Sequence, residues 1–196
     1  MRVLVACEYS GRVREAFRKL GHDAWSCDLL PSDDESPFHF QGDVVPLLRE
    51  RKWDLMIAHP PCTYLAVSGM HWTTRGLRDP KLTEDALDFV HALLNAPIAQ
   101  ICLENPVSVI STRIRKPNQI VQPWWFGDDA SKKTCLWLKN LPLLKPTTLL
   151  PGDNKTRRAN QTATGQNRLA PSPDRWKERS RTYQGIADAM AAQWGT

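Results

Sequence analysis

Two short stretches of the chain combine residue types that can do chemistry with surroundings that would hold them still. The first is His59-Pro60-Pro61-Cys62, which follows the apolar run Leu55-Met56-Ile57-Ala58. A thiolate is a strong, soft nucleophile. The two prolines would stop the preceding strand and stiffen the turn that presents Cys62. A free cysteine is most often a small buried hydrophobe. The Pro-Pro support, and Thr63, Tyr64 and Ser68 just after it, favour a nucleophile instead. The second stretch is Glu104-Asn105-Pro106, after the apolar run from Pro97 to Leu103. A carboxyl there can cap a helix or join a salt bridge. Raised by burial, it can also work as an acid or base.

Both stretches end apolar runs that read as buried strands, and ligands in open α/β sheets sit at the carboxyl ends of strands. The rest of the chain fits that scheme. Arg2–Cys7 reads as a first strand and Glu8-Tyr9-Ser10-Gly11 as a turn. A helix follows, with Val13, Ala16, Phe17 and Leu20 inward and Arg14, Arg18 and Lys19 outward. Ala24–Asp28 reads as a second strand ending in an acid, placed to accept hydrogen bonds from ribose hydroxyls. There is no GxGxxG, which disfavours a dinucleotide with a pyrophosphate. Phe38–Asp43 is a short extended piece and residues 44–51 a helix. Asp43 could take an adenine amino group or cap that helix. Thr63–Pro80 is a long connection with Gly69, Gly76 and several polar side chains, suited to a mobile lid. Leu82–Asn95 is a helix. Trp124 and Trp125 sit in an aromatic turn, Lys132-Lys133 precedes a strand, and residues 141–150 form a Pro-interrupted apolar edge. Thr182–Trp194 is a closing helix.

In bulk the 196 residues suit one α/β domain spanning 1–196. Five cysteines without a CxxC pair give no disulfide framework or metal site and point to a reducing cytoplasm. No apolar run has membrane-spanning length, and Met-Arg-Val-Leu-Val-Ala-Cys is too short for a signal peptide. Residues 151–181 carry eight basic and three acidic residues, an excess equal to the whole chain's net +5. This polar, partly mobile insertion suits a polyanion, although a solvated basic loop would look the same.

Taken together, these residues resemble the cytosine-C5 DNA methyltransferases. His59-Pro-Pro-Cys62 with Ser68-Gly69 is similar to the family's catalytic Pro-Cys loop, and Glu104-Asn-Pro106 to its Glu-Asn-Val motif. Tyr9-Ser-Gly11 is similar to its S-adenosylmethionine turn, and Gln184-Gly-Ile-Ala187 to its last motif. The resemblance covers roughly residues 2–110 and 181–194. It implies a Rossmann-like S-adenosylmethionine-dependent methyltransferase fold, with a mixed sheet of about seven strands between helices. It implies a cofactor held by Glu8, Tyr9, Ser10, Gly11, Asp28, Asp43 and Pro60, and a prokaryotic or phage-type protein acting on DNA. Three departures stand out. Arg12-Val13 replaces the family's second glycine. Its Gln-x-Arg-x-Arg motif is missing, with Arg113-Ile-Arg115 or Lys132-Lys133 as substitutes. Only residues 144–181 remain for target recognition.

The implied chemistry is methyl transfer to C5 of cytosine. Cys62 attacks C6, which makes C5 nucleophilic, and Glu104, kept protonated by burial, protonates N3. In duplex DNA the base must be flipped out. Ser68, Asn105, Arg113, Arg115, Lys132, Lys133, Arg157, Arg158 and Arg168 are the candidate substrate contacts, the last three for phosphates. A free cytosine nucleotide or a single strand would suit the same chemistry. A catalytically silent nucleic-acid-binding protein would keep the fold without it. The strand ending at Asp28 favours S-adenosylmethionine over the folate of thymidylate synthase. Cys62 stands where amino-group methyltransferases carry Tyr or Phe.

Overall fold

The alternation of apolar side chains in the first strand decides the layering. In β1 (Arg2–Ala6), Val3 and Val5 point to one side and Leu4 and Ala6 to the other, and all four are fully buried. A strand apolar on both faces needs helices on both faces. The computed structural model describes residues 1–195 and supplies them. After β1 come α1 (Arg12–Lys19), β2 (Asp23–Asp28), β3 (His39–Gln41), α2 (Leu47–Glu50) and β4 (Leu55–Ala58). Then follow α3 (Met70–Thr74), α4 (Lys81–Leu94), β5 (Gln100–Pro106), α5 (Ile110–Arg113), β6 (Gln119–Val121), β7 (Thr134–Lys139), α6 (Arg175–Ser180) and α7 (Gln184–Trp194).

The seven strands form one sheet in the order β3-β2-β1-β4-β5-β7-β6. β3, β2, β1, β4 and β5 run parallel, and β7 is antiparallel to both neighbours. The expected mixed sheet is therefore present. On one face α1 and α7 bury Val13, Phe17, Ile186, Met190 and Trp194 against Val3, Val5, Leu55 and Ile57. On the other, α4 buries Leu87, Val90 and Leu93 against Leu4, Met56 and Ile101.

Several elements differ from their sequence pattern, each for a physical reason. β5 starts at Gln100, later than its apolar run, and reaches Pro106 because β7 pairs with it that far. Arg14 is fully buried in α1 instead of facing outward. Its guanidinium donates to Ser26 Oγ at 2.8 Å and pairs with Asp34. Leu20 lies past the helix end and is exposed. The helix expected over 44–51 shrinks to α2, with Val45 exposed before it.

The expected lid is not simply a loop. A 3-10 turn (Val67–Gly69) and α3 lie within it. Its first part is tied to the β5–α5 connection by Val67 N to Val107 O (3.1 Å) and Val109 N to Leu65 O (2.9 Å). Leu65, fully buried, is the anchor. Residues 141–150 are not the sheet edge. Pro142 and Pro146 lack the N–H a ladder needs, and β6 holds the edge.

α7 docks through Gly185. Its N–H donates to Asp128 Oδ2 at 2.9 Å, and a Cβ there would run into the backbone carbonyl of Phe126. Gly185→Ala must push the helix off this contact. We expect it to lower stability by about 1–3 kcal/mol, read from thermal or urea unfolding. Neither Gly195→Ala nor Gly21→Ala is a control: the first Cβ also meets backbone, and the second would hold a side chain at φ 84°.

Candidate active site

The parallel register of β4 and β5 builds the site. Ala58 pairs with Leu103, so the next residues along each strand, His59 and Glu104, stand side by side. His59 Nδ1 lies 3.0 Å from Glu104 Oε2, and both side chains are about nine-tenths buried. One residue on, Asn105 is buried and its amide donates to Pro60 O at 2.9 Å. That bond fixes the Pro-Pro turn to β5. The amide nitrogen of Asn105 is thereby engaged, and its Oδ1 has no protein partner among the described residues. Cys62 is exposed at the end of the turn, with its carbonyl accepting from Leu65 N (3.0 Å) and Ala66 N (2.8 Å).

The charges differ from the sequence expectation in one respect. Burial does push the Glu104 carboxyl up. The hydrogen bond from His59 and the charges of Lys132 and His59 outweigh it, so the net shift is downward from the ordinary 4.5. Glu104 is thus a carboxylate in the resting protein, not the protonated acid that burial alone would give. A carboxylate only accepts, so His59 Nδ1 carries the hydrogen. His59 Nε2 is buried without a partner among the described residues. The Cys62 thiol is pushed above 9.0, first by desolvation and then by the Glu104 charge, while Lys132 and Arg179 pull it down.

Of the four substitutes for the missing basic motif, Lys132 is the one whose charge acts on both Cys62 and Glu104. Its ammonium donates to Arg179 O at 3.1 Å. Lys133 is exposed beside it. Arg113 is paired with Glu84 at 2.8 Å, and Arg115 donates to Asn118 Oδ1 and Leu138 O. Ser68 is exposed in the 3-10 turn, where its carbonyl is 3.1 Å from His71 Nδ1.

The turn after β1 is built around Glu8. The buried carboxylate accepts from Val13 N (2.7 Å) and Arg14 N (3.2 Å), and so caps α1. Ser10 Oγ lies 3.4 Å from the same carboxylate. Gly11 has φ 68°, with the Arg14–Asp34 pair packed where a side chain would go. Tyr9 is buried, and its hydroxyl donates to Lys177 O at 2.6 Å. Asp28 accepts from Leu30 N, and Asp43 from Val45 N, a local turn ahead of α2. Both acids stand at strand ends, and their charges are felt nearby. Burial first, then Asp28 and Asp43, push the Cys27 thiol up to about 11, and burial with the same acids raises Cys7. The carboxyl ends of β1–β3 therefore carry negative charge, which suits a cation.

The basic insertion is stitched to the domain. Asn160 bonds to Ser131 N and O, and Arg181 pairs with Asp33 at 2.7 Å. Arg158 is buried, 4.6 Å over the Trp124 ring and 3.7 Å from Asp129. Arg157, Arg158 and Arg168 line a cavity of about 310 Å³ with Gln161 and Thr162. Sequence reasoning gave no role to His59, although it stands as far past its strand as Glu104 stands past the paired residue. It also missed Arg179, for which charge was the only signal.

No family model matches the chain, and no curated protein is similar to it by sequence. A solved structure from E. coli, described as a DNA modification methyltransferase encoded within a prophage, is similar in fold. The TM-score is 0.50 at 15% identity over 82% of this chain, which spans 57% of that one. The class defined by the sheet order and this likeness is the Rossmann-like methyltransferase fold. No helix among the described residues is long and apolar enough to cross a membrane.

Because the Glu104 charge helps hold the Cys62 thiol up, Glu104→Gln should make Cys62 ionise at lower pH. Iodoacetamide labelling of the Cys62 peptide, followed by mass spectrometry, measures this. In the native protein the rate should still be rising past pH 9.0, the ordinary thiol value. In Glu104→Gln the rise should come earlier. Identical profiles would contradict the coupling.

Proposed function

We propose that the protein is an S-adenosylmethionine-dependent DNA methyltransferase that acts on C5 of cytosine. The observation that carries this reading is the nearness of the rigid Pro-Pro-Cys62 turn and Glu104, joined by adjacent parallel strands at the carboxyl edge of a methyltransferase-type sheet. One group can attack a ring carbon while the other engages a ring nitrogen of the same base.

The negative charge at the ends of β1–β3 suits the cationic cofactor. Asp28 would hold the ribose hydroxyls and Asp43 the adenine amino group. The turn from Glu8 to Gly11 would take the methionine end beside Pro60. S-adenosylmethionine, when bound, supplies an electrophilic methyl group. The chain's own residues supply the rest. Cys62 bonds to C6 and leaves by elimination once the C5 proton is removed. Glu104 faces N3 and the exocyclic amine. Lys132 offsets the negative charge that gathers around Cys62 and Glu104. The basic insertion, with Arg157 and Arg168 on its cavity wall, supports contact with phosphates, which positions a strand without reading its sequence.

The reading is tested by transfer of labelled methyl from S-adenosylmethionine to duplex DNA, single-stranded DNA and dCMP, run in parallel. Label should appear in DNA as 5-methylcytosine and vanish in Cys62→Ala. Label in dCMP alone would move the enzyme to nucleotide chemistry. Label on N4, or activity retained by Cys62→Ala, would overturn the mechanism. Cofactor binding without transfer to any acceptor would contradict all three substrates.

A further inference from the structure

We infer that the cavity in the basic insertion is a pocket for one phosphate group, with the buried Arg158 as its reader. This rests on the nucleic-acid reading above and deepens it, because a DNA strand is the phosphate source which that reading supplies. A free phosphate ion offers the same chemistry and is the second source.

Arg158 is buried, whereas Arg157 and Arg168 are exposed. A guanidinium cannot shed its charge, so burial demands acceptors for its donors. Arg158 has few. Its guanidinium lies 4.6 Å over the Trp124 ring, which holds its plane. Nη1 faces Asp129 at 3.7 Å, beyond hydrogen-bond length, and that carboxylate is more than half exposed. Nε and Nη2 have no partner among the described residues. These two nitrogens share one edge of the guanidinium, with their N–H bonds side by side. That edge is the fork that matches two oxygens of a phosphate.

The cavity that Arg158 lines, about 310 Å³, has the walls such an ion needs. Arg157 and Arg168 bring two further positive charges, and Asp129 is the one acid among the lining residues. Nε and Nη2 are shielded from bulk solvent, so an oxyanion meets them without competing water once the wall has moved to admit it. Arg168 can swing, since its side chain holds an exposed contact, Nη1 to Ala159 O at 3.2 Å. The pocket is also anchored beside the chemistry. Asn160 bonds to Ser131 N and O, and Ser131 precedes Lys132, whose charge acts on Cys62 and Glu104. A strand phosphate seated on Arg158 is thus held next to the loop that bears on the thiol.

The test follows the Nε–H signal of Arg158 in ¹H–¹⁵N NMR spectra of wild type, assigned through its backbone so that no variant is needed. The protein is titrated with inorganic phosphate, with DNA, and with DNA of the same sequence whose phosphates are replaced by neutral methylphosphonates. Phosphate or DNA should move the signal and slow its exchange with water, and the neutral DNA should not. A shift with DNA assigns the pocket to a strand phosphate. A shift with inorganic phosphate alone assigns it to the free ion. No shift with either, or the same shift with neutral DNA, overturns the proposal.

Affinity gives a second readout. Lysine keeps the charge of Arg158 and loses the fork. Arg158→Lys should weaken binding of the ligand that moves the signal by about 10-fold, the scale of a lost charge-assisted hydrogen bond. The salt dependence should be unchanged, because the charge is kept. Arg157→Lys and Arg168→Lys should change affinity by about 2-fold or less. Equal losses in all three, with Arg158→Lys unfolding like wild type, overturn the proposal. Methyl transfer in the same samples tests the cytosine-C5 reading separately. Transfer with the Arg158 signal unmoved removes the pocket and leaves that reading standing. A moved signal without transfer does the reverse.

Discussion

The parallel pairing of β4 with β5 is the constraint on which the rest depends. Ala58 opposite Leu103 fixes His59 beside Glu104, and the Asn105 amide then ties Pro60 to the same strand. A slip of one residue would turn every side chain of the strand to the other face. The register is held because both strands are apolar on both sides and packed between two helical layers. The site's geometry is therefore a consequence of core packing. The Pro-Pro turn adds stiffness where a longer loop would let the thiol wander.

Charge is layered over this scaffold. Acids gather at the strand ends, with Asp28 and Asp43 over β2 and β3 and Glu8 capping α1. Basic residues lie around the outside, where Lys132 and Arg179 face the thiol from the β6–β7 connection and α6. The acids at the strand ends suit a cation and the outer basic residues a polyanion. The end of α6 joins the two regions. Tyr9 donates to Lys177 O, Lys132 to Arg179 O, and Arg181 pairs with Asp33. The basic insertion is therefore tied both to the turn after β1 and to Lys132, whose charge acts on Cys62 and Glu104.

Much of this was legible in the sequence, because it rests on local patterns. Apolar runs gave every strand but β6 (Gln119–Val121), the Pro-Pro pair gave a rigid turn, and α7 was visible from the spacing of Ile186, Ala189 and Met190. What escaped depends on tertiary neighbours. Arg14 looks like an outward helix residue until Ser26, Ser32 and Asp34 surround it. Glu104 was expected to be raised by burial, and only the strand register reveals the histidine that reverses the sign. Leu65, which anchors the start of the expected lid, is one of several apolar residues there, and Val67, Trp72 and Leu77 beside it are exposed. The choice of Lys132 over Arg113 required the fold, since charge alone treats them alike.

The central claim is that Cys62 bonds covalently to a cytosine held at this sheet edge. The most direct measurement is intact-protein and peptide mass spectrometry after incubation with S-adenosylmethionine and DNA carrying 5-fluorocytosine, whose C5 fluorine blocks release. The account predicts a stable adduct whose bond maps to Cys62. No adduct, or an adduct at Cys7, Cys27, Cys102 or Cys135 in place of Cys62, would contradict it.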